Sequence, residues 1–440
     1  MVRERLPGVL VFGSGESMRT MCFVAAAMAI AASAAGQEPR PDRGEASVLT
    51  SLVAELESRN PELDAARREI DVRAARVKPA GAPPDPALSA GYMSGFLRPP
   101  FFPSAETPDA FRQIAVTQEI PFPGTLALRE RVAATDVETA RWSAEQARVR
   151  LIADLKHAYA EYVRVARTIA IVQRHKRALE QFRGVAEARF AVARATQQDV
   201  LRAQLEISIL LERVVLLERD RAVLRAAINR LAARAPETPI AVEAPIEIAT
   251  ADLSAETLAV RAGTQSPAVR RDAAAIARGE QALVLARREQ RPDFGIRLAT
   301  QKGTGGMPWM YGLELMVSVP VFWNRKQQPR IVEAAAALDG VSRVREQTVI
   351  DVVAAAAQEH AALDASRALI DLYGDSVLPQ ARLTLESSMA AYEVGAVDFL
   401  TLLTNFIAVL NYEVSLEEQR ARAWQALARL EPLTGLTLLR

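Results

Sequence analysis

The sequence has almost no cysteine and little histidine. Of its 440 residues, one is a cysteine, Cys22, and three are histidines, at the scattered positions 157, 175 and 360. It has no HExxH, no CxxC, no glycine-rich phosphate loop and no nucleophile motif. We therefore expect no disulfide, no catalytic residue, no metal site and no cofactor, which argues against an enzyme.

Excess charge and aromatic content are also missing. The formal net charge is +1, with both signs interspersed, and aromatic residues make up 5% of the chain. Without a basic face or tail, nucleic acid is not an expected partner. Alanine, leucine, arginine, glutamate and glutamine dominate residues 124–234 and 326–432, a composition typical of long helices.

Long uncharged hydrophobic runs are absent after residue 37. Before it, TMCFVAAAMAIAASAAGQ has an apolar centre of about a dozen residues and ends in small residues, with Ala32-Ser33-Ala34 as a cleavage site. Residues 1–36 are therefore predicted to be a secretory signal peptide, with Met18 as a plausible true start. A membrane-spanning helix is the alternative. Cys22 lies in the middle of the run, which argues against a lipid anchor.

The rest of the chain contains an internal sequence repeat. NPELDAARREIDVRAARVKPAG, from Asn60, corresponds to SPAVRRDAAAIARGEQALVLAR, from Ser266, and each is predicted to be a helix with a cap residue followed by proline. We predict a first repeat over 37–234, a linker over 235–253, a second repeat over 254–435 and a tail over 436–440. Each repeat reads helix, strand, strand, long helix, turn, long helix.

The predicted strands alternate apolar and polar residues. One face of the last strand carries Trp309, Tyr311, Leu313, Leu315, Val317 and Val319; Leu88, Ala90, Tyr92 and Phe96, and Phe294, Ile296 and Leu298, alternate in the same way. Each strand is about ten residues long, enough to cross an outer membrane at a tilt. A half-buried sheet of a soluble domain alternates similarly. Four strands cannot close a barrel, but three chains would bring twelve.

Two long helical hairpins are also predicted. In the first, Gly184 and the stretch near Thr196 are the expected interruptions between Gly124 and Leu231, giving helices of roughly 60 and 40 residues, or about 60 to 90 Å. FAVARATQQDVL, from Phe190, aligns without gaps on YEVGAVDFLTLL, from Tyr392. A coiled coil that serves only as a spacer gives the same pattern.

Together these segments resemble the TolC-like outer membrane factors, the exit ducts of tripartite efflux pumps and type I secretion systems. The doubled hairpin motif, QEIPFPGTLALRERVA and RPDFGIRLA carry the resemblance, which spans about residues 46 to 435. It implies a mainly α homotrimer with a small β part: a shared 12-stranded β-barrel in outer membrane lipid and a long-helix α-barrel in the periplasm. The implied partners are a periplasmic adaptor protein and an inner membrane transporter of the RND type.

The resemblance also implies a role for the hairpin tips. Tyr392 and Gly395 match the family's YxxG motif at the periplasmic tip, where the adaptor docks, and Phe190 and Ala193 match it with substitutions. Glycine suits a reversal because it adopts positive φ at little cost. Ala193 leaves the geometry of the first tip open. Asp199, on the tip that is usually the outer one, is expected to meet the adaptor.

A pore gate is expected just past the second tip. Where family members often carry two aspartates, this sequence has Thr401 and Thr404, so Asp398 is the nearest carboxylate. In a trimer Asp398 would form a ring of three charges that favours cations or closes the entrance. The alternative is an ordinary aspartate that caps a helix.

The transported substrate is not fixed by the sequence. VFWNRKQQPRIVEAAA looks most like the metal-ion efflux branch, whereas a drug, a solvent or a polypeptide remain alternatives. A periplasmic adaptor would have one hairpin flanked by split lipoyl and barrel pieces, and a structural periplasmic coiled coil would have no membrane strands. We expect an efflux duct in the outer membrane with a periplasmic helical extension.

Overall fold

The computed structural model describes residues 47–93, 110–242, 254–303 and 306–439. The predicted signal peptide, Cys22 and Phe96 lie outside these ranges. The elements are α1 Val48–Arg59, α2 Pro61–Gly81, β1 Ala87–Met93, β2 Phe111–Ile120, α3 Thr125–Ala191, α4 Gln197–Leu231, α5 Ala255–Gln265, α6 Pro267–Arg288, β3 Asp293–Gly303, β4 Trp309–Ser318, α7 Gln327–Asp371, a π-helical segment Leu372–Val377, α8 Leu378–Glu393 and α9 Phe399–Thr434. The expected class, mainly helical with a small β part, is confirmed.

The first predicted helix start is confirmed, and the second differs in detail. The Asn60 side chain caps α2 by accepting hydrogen bonds from the backbone N–H groups of Glu62 (2.9 Å) and Leu63 (3.2 Å). It also donates to the carbonyl of Leu231 at 2.8 Å, which ties the start of α2 to the end of α4. Ser266 precedes α6 in the same way but makes no side-chain capping bond.

The four strands form one antiparallel sheet in the order β1-β2-β3-β4. Leu298 of β3 lies opposite Val116 of β2 and Leu313 of β4, so the apolar faces of all the strands coincide. That common face is open: Leu313 and Leu315 are 67% and 72% exposed. A single chain therefore leaves both the apolar face and the two edge strands without a partner.

Helix α3 of the first hairpin is longer and more continuous than the sequence predicts, and α4 is shorter. Helix α3 has 67 residues, or roughly 100 Å at 1.5 Å per residue, and α4 has 35. The expected interruption at Gly184 is wrong, since α3 continues through it. Glycine only weakens a helix by about 1 kcal/mol, and the packing of the flanking turns outweighs that cost.

The second hairpin has an irregularity that the sequence did not reveal. Between α7 and α8 the chain forms one wide π-helical turn, Leu372–Val377, immediately before Pro379. Proline lacks a backbone N–H and clashes with the preceding turn of a regular helix. The wider turn lets the helix continue past it without a break.

The C-terminal tail is attached to the helices by a buried ion pair. Lys156 Nζ lies 2.6 Å from Glu431 Oε2 and donates to the carbonyl of Leu439 at 2.7 Å. Glu431 Oε1 accepts from the backbone N–H groups of Leu438 (2.7 Å) and Leu439 (2.8 Å). The two buried charges thus share their hydrogen bonds with the tail, which offsets the cost of removing them from water.

Helix α9 contains an 18-residue stretch that is long and apolar enough to cross a membrane, but 44% of that stretch is buried inside the fold.

A second buried charge joins both hairpins. Glu413, within α9, accepts from Arg382 Nη2 on α8 at 2.7 Å and pairs with His175 Nε2 on α3 at 2.9 Å. Arg174 on α3 also pairs with it.

These contacts decide the protonation of Glu413. Burial alone raises the pKa of this carboxyl. The hydrogen bonds from His175 and Arg382, with the charges of Arg174 and His175, outweigh burial and lower the pKa to about 2. Because this value lies below the ordinary 4.5, the carboxylate stabilises the fold fully above about pH 4.5. The contribution is lost as the pH falls through about 2.

We expect Glu413→Gln to lower the stability of the helical part by roughly 2 to 3 kcal/mol, because it removes the buried anion that accepts bonds from the buried His175 ring and from the exposed Arg382. The variant should also lose less stability than wild type between pH 4.5 and 2. Thermal unfolding followed by circular dichroism at fixed scan rate checks both points. Glu418→Gln, whose pair with Arg422 is exposed, is the control and should change stability by about 1 kcal/mol or less. Equal effects of the two changes would contradict the assignment.

Candidate functional site

The two hairpin tips turn in the same way. At the first tip the N–H of Ala193 donates to the carbonyl of Phe190 at 3.0 Å, and that of Arg194 donates to Arg189 at 2.8 Å. The matching bonds at the second tip run from Gly395 to Tyr392, 3.0 Å, and from Ala396 to Ala391, 2.8 Å. This pattern ends a helix by satisfying its last carbonyls with the reversing chain.

Ala193 adopts the backbone conformation that the turn requires. Its φ is 56°, and that of Gly395 at the matching position is 81°. A left-handed conformation costs an L-residue roughly 1–2 kcal/mol and costs glycine little. The geometry left open by the sequence is therefore shared by both tips, and the first tip bears local strain.

The helix that follows each tip is capped by a different residue type, a threonine for α4 and an aspartate for α9. At the first tip Thr196 Oγ1 accepts from the N–H of Asp199 (3.3 Å), while Asp199 Oδ2 accepts from the N–H of Thr196 (3.0 Å). At the second tip the acid comes first: Asp398 Oδ1 accepts from the N–H of Thr401 at 2.9 Å. Both arrangements satisfy free N–H groups at a helix start.

Asp398 is stabilised as an anion. The hydrogen bonds from Thr401, first from its side chain and then from its backbone, lower the pKa of the Asp398 carboxyl below its ordinary value. The carboxylate also lies at the positive end of α9, where negative charge is favoured. Asp398 is thus a helix cap, and it carries its charge at neutral pH.

The three candidate gate residues lie on one exposed face. Asp398, Thr401 and Thr404 are all exposed, at the three-residue spacing that aligns side chains along a helix. The opposite face of α9 is buried and consists of Phe399, Leu402, Leu403 and Phe406. One charge and two hydroxyls therefore line the same side of the helix.

The two aromatic residues of the tip motif differ in their surroundings. Tyr392 is 6% exposed and packs edge-on against Phe399 at 5.8 Å, whereas Phe190 is 48% exposed. Tyr392 is packed between the two hairpins, and Phe190 is exposed on the first. With Val192, Leu201 and Val394, which are also exposed, Phe190 gives the tips an apolar surface.

Arg189 joins the two tips, and the sequence reasoning missed it. Its guanidinium lies 4.5 Å from the ring centroid of Tyr392 and donates to the carbonyls of Tyr392 (2.6 Å) and Glu393 (2.9 Å). A cation is favoured at the C-terminal end of a helix, here α8. A basic residue in the last turn of α3 indicates a helix C-terminus. The sequence could not predict its carbonyl partners, because they lie 203 and 204 residues away along the chain.

The tips offer exposed polar and apolar surfaces for binding. Across the residues that the structure describes, no group of three or more histidine, cysteine, aspartate or glutamate side chains is placed to hold a metal ion. The chemistry available at the tips is therefore the anionic Asp398, neighbouring hydroxyls and exposed apolar side chains.

Comparison with known families and structures adds to this geometry. Residues 52–234 match the model of the family described as outer membrane efflux protein. Comparison with curated protein sequences finds no match.

Solved structures match nearly the whole chain. The outer-membrane channel OprN has a TM-score of 0.76 at 17% identity, with 89% of this chain and 90% of that chain covered. CusC, solved in a study of folding and transmembrane channel formation, has 0.74 at 15% identity, with coverage of 88% and 91%. The outer membrane protein VceC of Vibrio cholerae has 0.74 at 17% identity, with coverage of 88% and 96%. At these identities the likeness establishes the fold.

We expect alanine and glycine substitutions at the tips to act oppositely. Ala193→Gly should relieve the left-handed strain and leave stability unchanged or raised by up to about 1 kcal/mol, and Gly395→Ala should cost about 1 kcal/mol. No atom lies within 4 Å of a methyl group at Gly395, so this cost is one of backbone conformation. Hydrogen exchange of the tip peptides measures both effects.

Gly184→Ala is the matched control. This glycine also has open space around it but lies in the interior of α3, where alanine should stabilise by about 1 kcal/mol. If Gly395→Ala protected the tip amides as Gly184→Ala protects its own turn, the strain assigned to the tips would be wrong.

Proposed function

We propose that this chain is a member of the TolC-like outer membrane efflux protein family, whose model matches residues 52–234, and that it is one subunit of the exit duct of a tripartite efflux pump. Proteins of this family lie in the outer membrane and extend helices into the periplasm. The chain is accordingly a channel component and not an enzyme. The observation that carries the proposal is the union, in one chain, of an uncovered apolar sheet and two long helical hairpins.

The sheet supports a membrane-inserted homotrimer. Strand β4 has ten residues and exposes Tyr311, Leu313, Leu315 and Val317 on one face. Strands of this length cross an outer membrane at a tilt, and lipid rather than water suits such a face. Strands β1 and β4 are free edges, which must be paired inside a membrane. Three copies supply twelve strands and leave no edge.

The hairpins support a role as a periplasmic conduit. Because α3 is roughly 100 Å long, the tips lie far from the sheet along the helices. The exposed apolar residues Phe190, Val192 and Val394 at the tips suit a protein partner, which we assign as the periplasmic adaptor. The adaptor would couple the duct to an inner membrane transporter of the RND type.

The cargo is proposed more narrowly from one segment. Phe322 and Trp323, both exposed, belong to VFWNRKQQPRIVEAAA, which looks most like the metal-ion efflux branch of the family. Metal cations are the cargo we favour, and a drug, a solvent or a polypeptide are the alternatives. Asp398 at the entrance would concentrate cations by its charge.

We expect the full chain, expressed in a Gram-negative host, to be recovered in the outer membrane fraction as a trimer. In planar bilayers the purified trimer should give discrete, water-filled channel conductances. Recovery as an unassociated rod in the soluble periplasmic fraction would contradict the proposal and favour a structural coiled coil. Deleting the gene and testing growth on metal salts, drugs and solvents separates the candidate substrates.

The charge of Asp398 can be tested apart from its capping role. Asp398→Asn keeps an oxygen that caps α9 but removes the charge, whereas Asp398→Ala removes both and should also lower the stability of the tip. We expect the asparagine variant to lose cation preference in planar bilayers. Asp199→Asn, at the other tip, is the control and should leave ion selectivity unchanged.

An unchanged permeability ratio in Asp398→Asn would leave Asp398 as a helix cap with no part in the gate. A loss of selectivity confined to the alanine variant would point in the same direction, since tip distortion rather than charge would then be the cause.

A further inference from the structure

A cavity rich in arginine lies where the helices meet the sheet. Its volume is about 480 Å³, and it lies between the first turns of α3 and the last turns of α6. Four of its eight lining residues are arginines: Arg131, Arg287, Arg288 and Arg291. The others are glycine, alanine, leucine and valine. The described lining thus contains four cations and no acid.

The acids nearest in sequence are engaged elsewhere. Glu289 pairs with Arg129 at 3.4 Å and Arg330 at 3.8 Å. Asp293 accepts from the backbone N–H of Phe122 at 2.8 Å, and Glu130 lies against Gly81 of α2. These carboxylates therefore do not neutralise the cavity.

The arginines themselves have donors to spare. Arg131, Arg287 and Arg291 are exposed, and within the described residues their side chains make no hydrogen bond or ion pair. Arg288 donates one bond, to the carbonyl of Pro123 at 2.7 Å, and its Nε is buried without an acceptor. A buried donor without a partner costs free energy, so an acceptor from outside the chain would be favoured.

The start of α3 adds free backbone donors. Gly124 precedes this 67-residue helix with φ 88°, and no side chain caps its first N–H groups. The glycine lets the chain turn closely beside Arg288, since a methyl group there would lie 2.6 Å from Arg288 Nη2. A helix start beside four arginines is suited to a phosphate.

Stacked rings connect the cavity to the apolar face of the sheet. The Arg288 guanidinium lies 5.1 Å from the ring centroid of Phe122, whose ring stacks on Phe294 at 6.4 Å. Phe294 lies opposite Val317 and Ile120 in the sheet and is exposed. The cavity therefore lies at the periplasmic edge of the surface that we assign to lipid.

We propose that this cavity binds the phosphate headgroup of a phospholipid in the periplasmic leaflet of the outer membrane. The arginines hold the phosphate, and the acyl chains lie along Phe122, Phe294 and the apolar strand residues beyond them. Arginine pairs with phosphate through two parallel bonds and also stacks on aromatic rings. Such a contact would fix the depth and tilt of the sheet in the membrane. The inference rests on the outer membrane location and not on the cargo or the gate.

The test uses the purified full-length trimer in an uncharged maltoside detergent, titrated with phosphatidylglycerol and followed by native mass spectrometry. Wild type should bind the lipid. The triple variant Arg131→Gln, Arg287→Gln, Arg291→Gln should bind it at least about tenfold more weakly, because it removes three of the four cations that would pair with the phosphate. The readout does not depend on transport, so its failure would leave the proposed duct intact.

A second triple variant controls for charge. Arg219→Gln, Arg343→Gln and Arg422→Gln remove the same number of cations from exposed ion pairs on α4, α7 and α9. This variant should keep wild-type lipid binding. Circular dichroism and size-exclusion chromatography establish that both variants remain folded trimers.

Three results would overturn the proposal. Absence of lipid binding by the wild type would remove the site, and equal weakening in the control triple would reduce it to general charge attraction. If millimolar inorganic phosphate displaced the lipid, so that the cavity did not distinguish the lipid from the free anion, the cavity would be a site for a soluble anion. Retention of phosphatidylglycerol over an uncharged glycolipid, lost only in the cavity variant, would support a phospholipid site.

Discussion

The constraint on which the structure depends is that one chain cannot complete its own sheet. Four antiparallel strands expose an apolar face and two unpaired edges. In lipid, an unpaired edge leaves backbone N–H and C=O groups without partners, at several kcal/mol each. The helices next to the strands in the chain do not pack over this face, because all four connect to the sheet at the same end: α2, α3, α6 and α7. The helices are therefore free to form a separate layer, and the assembly must supply what the chain lacks.

Much of the fold follows from the local pattern. Alternation gave the common apolar face of the strands, and proline after a cap residue gave the start of α2. The alignment of Phe190 with Tyr392 located both tips. These features depend on neighbours within a few residues, so they can be predicted from the sequence. The continuity of α3 through Gly184 was missed because packing along the whole hairpin outweighs one poor helix former.

What the sequence did not predict depends on partners far away along the chain. Arg189 binds carbonyls 203 and 204 residues later, and Glu413 pairs with His175 238 residues earlier. Nothing in the local pattern distinguishes these charges from those on a solvated face. The tip motif lies at a helix reversal in both hairpins, yet its local sequence does not predict that Phe190 is exposed and Tyr392 buried. Their difference arises because only Tyr392 faces the other hairpin.

The two ends of α3 show how the same side chain serves different purposes. At its C-terminal end Arg189 donates to two carbonyls of α8 and lies over the Tyr392 ring, which joins the hairpins inside one chain. At its N-terminal end Arg131 has no such partner, and the nearby carboxylates are engaged. Positive charge is favoured at a helix C-terminus and disfavoured at an N-terminus. Arg131 therefore lies at the unfavourable end of α3, whereas Arg287 and Arg288 lie in the last turn of α6, where cations are favoured. Four like charges gathered at one place still raise the local potential, and an external anion would lower it.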